Sequence, residues 1–277
     1  MSDARWIRSF MLACGIATWV ACLAGSGVDE SAPIDPSEVS SRQRAMVDSI
    51  GEILAEVMAE RGAEEALLID LASLYAPLDA DQRAFLDAIR AMEGGDPELG
   101  VAARADLIAI APTRLETPEG EREIPLRLLS RDADAAWSKL DAAMREDIGR
   151  GLVIGSGYRS PANQLSLFVR FMPLYDYSPA RTLPHVSLPG ASDHNRSDRL
   201  GLDFVTEDGV DLRSSDPAAF RARAEYRWLV DHADRFGFAG EGADSASPWH
   251  WHYAGGRDES FTWAAASARF ERRRDPE

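Results

Sequence analysis

Three stretches carry side chains whose types and spacing could do chemistry: Ser156-Gly-Tyr-Arg-Ser160, Ser192-Asp-His194 running on to Asp203, and Pro248-Trp-His-Trp-His252. Imidazole and carboxylate groups are what zinc takes in hydrolytic sites, where three protein ligands leave a fourth position open. His194, Asp203 and His250 supply such a set. Asp203 sits between Leu202 and Phe204 in an alternating segment, Leu200 to Val205, that reads as a strand. A carboxylate among apolar strand residues costs free energy unless it is paired or bound to a cation. In a strand, alternate side chains share a face, so His250 and His252 point together with Cα atoms roughly 6.6 Å apart. His185 and His232 read as surface residues.

The elements that must position these groups can be read around them. Leu152-Val-Ile-Gly reads as a strand, and Ser160-Pro161 as an N-cap and first turn, so Arg159 falls at a strand-to-helix junction. Gln164 follows little more than one turn into that helix. Ser130 to Arg150 is a strong helix with Ala133, Trp137, Leu140 and Met144 on one side and Gly151 closing it. Asp216-Pro217 opens a helix expected to run to about Phe236. Upstream, Leu107 to Ala111 is a short strand or a helix end, and Thr117 to Glu123 a turn. Residues 41 to 95 are helical by period: Met46, Val47, Ile50, Leu54 and Val57 form one stripe, with Gly62 as its cap. Phe85, Leu86, Ile89 and Met92 form another behind an Asp79/Gln82 capping box. Nothing in this extension suggests chemistry.

Composition narrows the function further. With 45% apolar and 27% charged residues, the 277-residue chain can bury a core. A formal charge of −16 argues against a phosphate backbone as partner, since nucleic-acid binders need a cationic footprint. Arg5 and Arg8 precede an apolar run from Phe10 to Leu23, followed by small residues, which is the pattern of a secretory signal over residues 1–24. Both cysteines, Cys14 and Cys22, lie within it. Trp19-Val-Ala-Cys22 resembles a bacterial lipoprotein processing box, with Cys22 as the lipid-bearing residue; ordinary cleavage near Ala21 or Ala24 is the alternative. Residues 25–40, rich in Gly, Ser, Pro and acidic residues, read as a tether. The expected order is signal (1–24), linker (25–40), helical extension (41–100), main domain (101–258) and a helical tail (259–277).

Together these motifs resemble the D-alanyl-D-alanine carboxypeptidase family of the VanY type, within the wider group of hedgehog-like and lysostaphin-like zinc folds. That family reads SGYRS with Gln five positions past the Arg, then PG-x-S-x-H-x-x-G-x-A-x-D, then E-x-W-H. Here the matching residues are Ser156 to Ser160 with Gln164, Pro189-Gly190 with Ser192, His194 and Asp203, and Trp249-His250. The resemblance covers about residues 105 to 256. It implies an α+β fold, a small and mostly antiparallel sheet with surrounding helices and a zinc site at its face. It implies zinc ligands at His194, Asp203 and His250, a substrate- or oxyanion-binding Arg159, and substrate contacts from Gln164, Ser192 and Trp249. The implied reaction is peptide hydrolysis by zinc-activated water on a peptidoglycan stem peptide ending in D-alanine, which suits an exported, periplasmic or envelope-facing protein.

Two positions depart from the pattern. His194 and Asp203 lie nine residues apart, against seven in the family, and Arg199 stands where a Gly is usual. The family glutamate three residues before the last His, its general acid/base, is Ser247 here. Serine cannot take a proton near neutral pH, and losing a general base costs about 10²–10⁴-fold in rate. His252 could serve as the base. In the lysostaphin-like relatives the second His of such a pair binds the metal, which would make His252 the ligand and His250 the base. Glu241 or Asp244 could also supply the carboxylate. Otherwise the domain is an inactive relative that keeps the pocket to bind cell-wall peptide.

Overall fold

The structure, a computed structural model, describes residues 39–92, 103–211, 216–242 and 245–255. The signal segment with Cys22, nearly all of the tether, Asp244 and the tail lie outside the described residues. No helix among the described residues is long and apolar enough to cross a membrane. In chain order the elements are helices α1 (Ser41–Ala59), α2 (Ala63–Leu67), α3 (Leu71–Tyr75) and α4 (Ala80–Arg90), then strands β1 (Leu107–Ile110), β2 (Thr113–Thr117), β3 (Gly120–Ile124) and β4 (Arg127–Ser130). There follow α5 (Arg131–Ile148), β5 (Leu152–Ser156), α6 (Pro161–Phe171), α7 (Pro179–Thr182), β6 (Leu200–Thr206), α8 (Pro217–Arg221), α9 (Ala224–His232), β7 (Phe238–Gly240) and β8 (His250–Tyr253). This is an α+β fold with small antiparallel sheets.

The described residues divide into two compact units, with the chain passing between them at 99/100, 159/160 and 192/193. The first is helical. Ser40 and Gln43 form a capping box at α1, and Asp79 and Gln82 form the expected one at α4. These caps satisfy N–H groups that the first helical turn leaves unpaired. Ser160 caps α6 by accepting from the Asn163 N–H, with Pro161 in the first turn. Helix α1 ends at Ala59, earlier than Gly62, which instead precedes α2. Val47, Ile50 and Leu54 of α1 share one core with Leu86 and Ile89 of α4 and with Leu165, Phe168 and Val169 of α6. Each such side chain contributes about 1.5–3 kcal/mol by leaving water. Residues 160–192, which the sequence reading groups with the main domain, thus have their core partners in the helical extension.

The second unit holds the sheets. Strands β2 and β3 pair as a hairpin from Thr113↔Ile124 to Thr117↔Gly120, so the expected turn at 117–123 is confined to Pro118 and Glu119 and the rest of that stretch is strand, chiefly β3. Strand β1 pairs antiparallel with β4. The main sheet has the order β5-β6-β8-β7, all antiparallel neighbours. Strand β6 is central and buried along its whole length, which is why its sequence is apolar on both faces around one carboxylate. Phe204 stacks on Trp137 of α5 at 5.0 Å and lies 6.3 Å from Phe238. Helix α5 ends at Ile148, because Gly149 takes φ 67°, a left-handed conformation that glycine adopts without strain; Gly151 lies beyond the helix. The helix expected from Pro217 to Phe236 is interrupted. Arg223 is extended between α8 and α9, and residues 233–236 tighten to a 3-10 turn. The break leaves Phe220 and Tyr226 edge-to-face at 6.0 Å, both buried.

Candidate metal centre

Register across the main sheet assembles the site. On β6, Asp203 is paired with His250 of β8 on one side and with Ser156 of β5 on the other. A bulge between Ile154 and Ser156 turns the Ser156 hydroxyl onto Asp203, to which it donates a hydrogen bond. His194 enters from the turn before β6. That turn lies flat on the strand because position 201 is glycine: a Cβ there would come within 2.9 Å of the Asp193 carbonyl carbon and the His194 nitrogen. The Arg159 N–H donates to the His194 carbonyl at 3.0 Å, and the Asn195 amide donates to the Arg159 carbonyl at 2.8 Å. Arg159 is therefore tied through its backbone to the segment that carries His194.

The side chains of His194, Asp203 and His250 converge, each offering one ligating atom within 4.8 Å of the others. His194 is buried, and its Nδ1 donates to the Gly157 carbonyl at 2.8 Å, which leaves Nε2 as a lone pair 3.3 Å from Asp203 Oδ2. His250 Nδ1 lies 2.9 Å from Asp203 Oδ1, and its Nε2 lies 4.0 Å from Asp193 Oδ2. Four donors at about 2.0–2.2 Å from zinc stand about 3.3 Å apart. The His194–Asp203 separation has that value, and the tautomer of His194 is the one that ligation by Nε2 requires. Two acceptors facing each other at 3.3 Å repel unless a cation lies between them. The donor set therefore fits zinc.

Burial pushes His250 down, but the carboxylates of Asp193 and Asp203 outweigh it and hold its pKa up at about 10. Burial, reinforced by the Arg159 guanidinium, lowers His194 and keeps it neutral against the pull of Asp203. Burial works against the Asp203 carboxylate too, yet the protonated His250 imidazole, 2.9 Å from Oδ1, holds it well below its ordinary value. His250 and Asp203 thus form a largely enclosed cation–anion pair.

The remaining residues named from the sequence fall as follows. His252, on the same strand face as His250, is 2% exposed, and its Nδ1 lies 3.3 Å from Arg199 Nη2. Burial and that guanidinium lower its pKa to about 4. Trp249 packs edge-on against Phe220 at 6.3 Å. Gln164 and Ser192 belong to the helical unit, where Gln164 is buried and its amide donates to the Ser187 carbonyl at 2.7 Å. His185 is exposed and stacks on Tyr175, while His232 packs edge-on against Trp228.

A cleft of about 200 Å³ opens beside His250, lined among others by Ser247, Ser245, Glu241, Leu229 and Trp251. Glu241, in the turn after β7, brings a carboxylate oxygen within 4.8 Å of ligating atoms of both His250 and Asp193. Ser245 connects the two sides of that turn, its hydroxyl donating to Glu241 Oε2 at 3.1 Å and accepting from the Ser247 N–H at 3.0 Å. Sequence reasoning passed over Asp193 entirely. Its one visible signal was a carboxylate directly preceding a candidate ligand.

Residues 126–256 match the family model described as VanY, D-alanyl-D-alanine carboxypeptidase. No curated protein matches the chain. The LdcB LD-carboxypeptidase is similar in structure at a TM-score of 0.42 and 23% identity, over 64% of this chain and 77% of that one. The vancomycin-resistance D,D-pentapeptidase VanY in complex with Zn(II) is similar at 0.39 and 19%, over 60% and 89%. DacB from Streptococcus pneumoniae is similar at 0.36 and 21%, over 61% and 91%. Over residues 126 to 256, just under half of the chain, the sequence resembles the VanY family of D-alanyl-D-alanine carboxypeptidases.

Proposed function

We propose that this protein is a zinc-dependent peptidase that cleaves peptidoglycan stem peptides, in the manner of a D-alanyl-D-alanine carboxypeptidase, outside the cytoplasm. The observation that carries the reading is the convergence of His194, Asp203 and His250 within a segment of that family. A zinc ion held by these three residues would polarise the scissile carbonyl and make water nucleophilic near neutral pH. Asp203 faces both imidazoles, and the Gly157 carbonyl keeps His194 in its ligating tautomer. Arg159, beside His194, offers a fixed cation to the substrate's carboxylate or to the oxyanion that develops on attack. Export by the N-terminal segment, with or without a lipid on Cys22, would bring the site to its substrate.

Ser247 leaves the proton acceptor to be supplied from elsewhere. Glu241 suits this role better than His252, because it lines the cleft with Ser247 and His250, whereas His252 is buried against Arg199. A second reading follows from the same serine: the domain binds cell-wall peptide and does not cut it. The test is incubation of the zinc-loaded full chain with a peptide ending in D-Ala-D-Ala. Hydrolysis releases D-alanine, Arg159→Ala lowers the rate, and Glu241→Gln lowers it by about 10²–10⁴-fold. Retained peptide binding with no release would select the binding-only reading, and a purified chain that takes up no zinc would sink both.

A further inference from the structure

The feature that sets this chain apart from its family pattern is the longer connection between the first two candidate ligands. His194 and Asp203 are nine residues apart, and the added loop carries Arg199. Its guanidinium folds back over the site. One nitrogen, Nη2, lies 3.3 Å from Asp193 Oδ2 and 3.3 Å from His252 Nδ1. Asp193 is thereby fixed with the same oxygen, Oδ2, 4.0 Å from His250 Nε2. Beneath it the backbone of residues 193–194 rests on Gly201, which is paired across the sheet with His252. Asp193 is thus held both by its backbone and by its side chain.

We infer that Asp193, clamped by Arg199, is a positioning residue for His250, bracing the ring nitrogen opposite the one that meets the metal. This rests on the zinc reading above. If His250 ligates through Nδ1, the atom facing Asp203, its one remaining N–H is on Nε2, and Asp193 is the carboxylate that Nε2 faces. Ligating imidazoles characteristically donate that second N–H to a carboxylate or carbonyl, which fixes the ring and raises its basicity. His194 uses the Gly157 carbonyl for this purpose; for His250 the carboxylate in that direction is Asp193, 4.0 Å from Nε2. Arg199 acts one step further out. It keeps the Asp193 carboxylate from swinging into solvent and, through His252, ties the loop to the strand that carries His250. Glu241, which is exposed, brings a carboxylate oxygen within 4.8 Å of ligating atoms of both Asp193 and His250.

The test uses the full chain and reads zinc affinity by chelator competition, together with the visible spectrum of the cobalt(II)-substituted protein. Asp193→Asn should weaken zinc binding by about 10–100-fold and shift the cobalt bands, since a ligand ring would lose its orientation. Arg199→Ala should weaken it in the same direction, Arg199→Lys should recover part of the loss, and the Asp193→Asn/Arg199→Ala double variant should be no worse than Asp193→Asn alone. Zinc affinity within twofold of the parent with an unchanged cobalt spectrum would overturn the inference. So would strictly additive losses, or two zinc ions per chain of which Asp193→Asn removes one. A merely structural role would lower the melting temperature without touching affinity or spectrum. A parent chain that binds zinc but cleaves no peptide defeats the peptidase reading and leaves the brace to be decided by affinity; a parent that binds no zinc defeats both.

Discussion

Replacing Asp203 by asparagine removes one charge and no volume from the centre of the sheet. In the metal-free protein the Asp203 carboxylate meets His250 Nδ1 at 2.9 Å, His194 Nε2 at 3.3 Å and the Ser156 hydroxyl, and the residue is 8% exposed. Neutralising one partner of a buried ion pair costs about 3–5 kcal/mol. The introduced amide can donate to the His194 lone pair, which returns about 1 kcal/mol. A net loss of about 2–4 kcal/mol follows, or about 4–16 °C in melting temperature at about 2–4 °C per kcal/mol for a chain of this size. The loss depends on pH in a definite sense. His250 is raised from 6.5 to about 10 in the folded state, so its contribution is complete below about pH 6.5 and disappears as pH rises through 10. Asp203 is depressed, so its contribution is complete above about pH 4 and fades only in stronger acid. Melting of chelator-treated parent and variant should therefore differ most near pH 6 and converge as the buffer approaches pH 10. A difference that is the same at pH 6 and pH 10 would refute the ion-pair account of the empty site. A variant as stable as the parent throughout would refute it as well.

Gly201→Ala should cost about 1–3 kcal/mol in urea unfolding, because the backbone of residues 193–194 must lift off β6, and zinc affinity should fall with it. In the helical unit, Leu54→Ala removes a side chain 1% exposed and should cost about 2–5 kcal/mol, read from the unfolding of that unit. Asp79→Ala deletes the cap of α4 and should cost about 0.5–2 kcal/mol in the same measurement, with no effect on zinc affinity.

How much of this was legible in the amino-acid sequence depended on the range of the interaction. Period-two alternation placed His250 and His252 on one face, and local chemistry marked the caps at Asp79 and Ser160, because these are properties of neighbouring residues. The pairing of Asp203 with both Ser156 and His250 is a matter of strand register, which no local pattern encodes. Asp193 escaped notice because its partner Arg199 reaches it only through the fold of the intervening loop. The end of α5 at Gly149 was misjudged by two residues, the usual scale of boundary error, whereas the break before α9 was missed because tertiary packing decides it. The helical period of residues 41–92 announced a buried stripe but could not say against what.

That last ambiguity bears on how the protein can be cut. The core of the helical unit joins α1 to α6, with more than a hundred intervening residues supplied mostly by the other unit. During synthesis, Val47, Ile50 and Leu54 must wait, exposed or in provisional contacts, until Leu165, Phe168 and Val169 have been made. The loop this closes is long, and the entropy of closing it has to be met before any of the burial is gained. An expression boundary drawn at residue 101, where the main domain is expected to begin from the sequence, would strip α6 of the helices that cover it. What remained would carry every candidate ligand and an uncovered apolar stripe, prone to self-association. The shortest segment fit for study by itself begins at Ser40, where the first helix is capped.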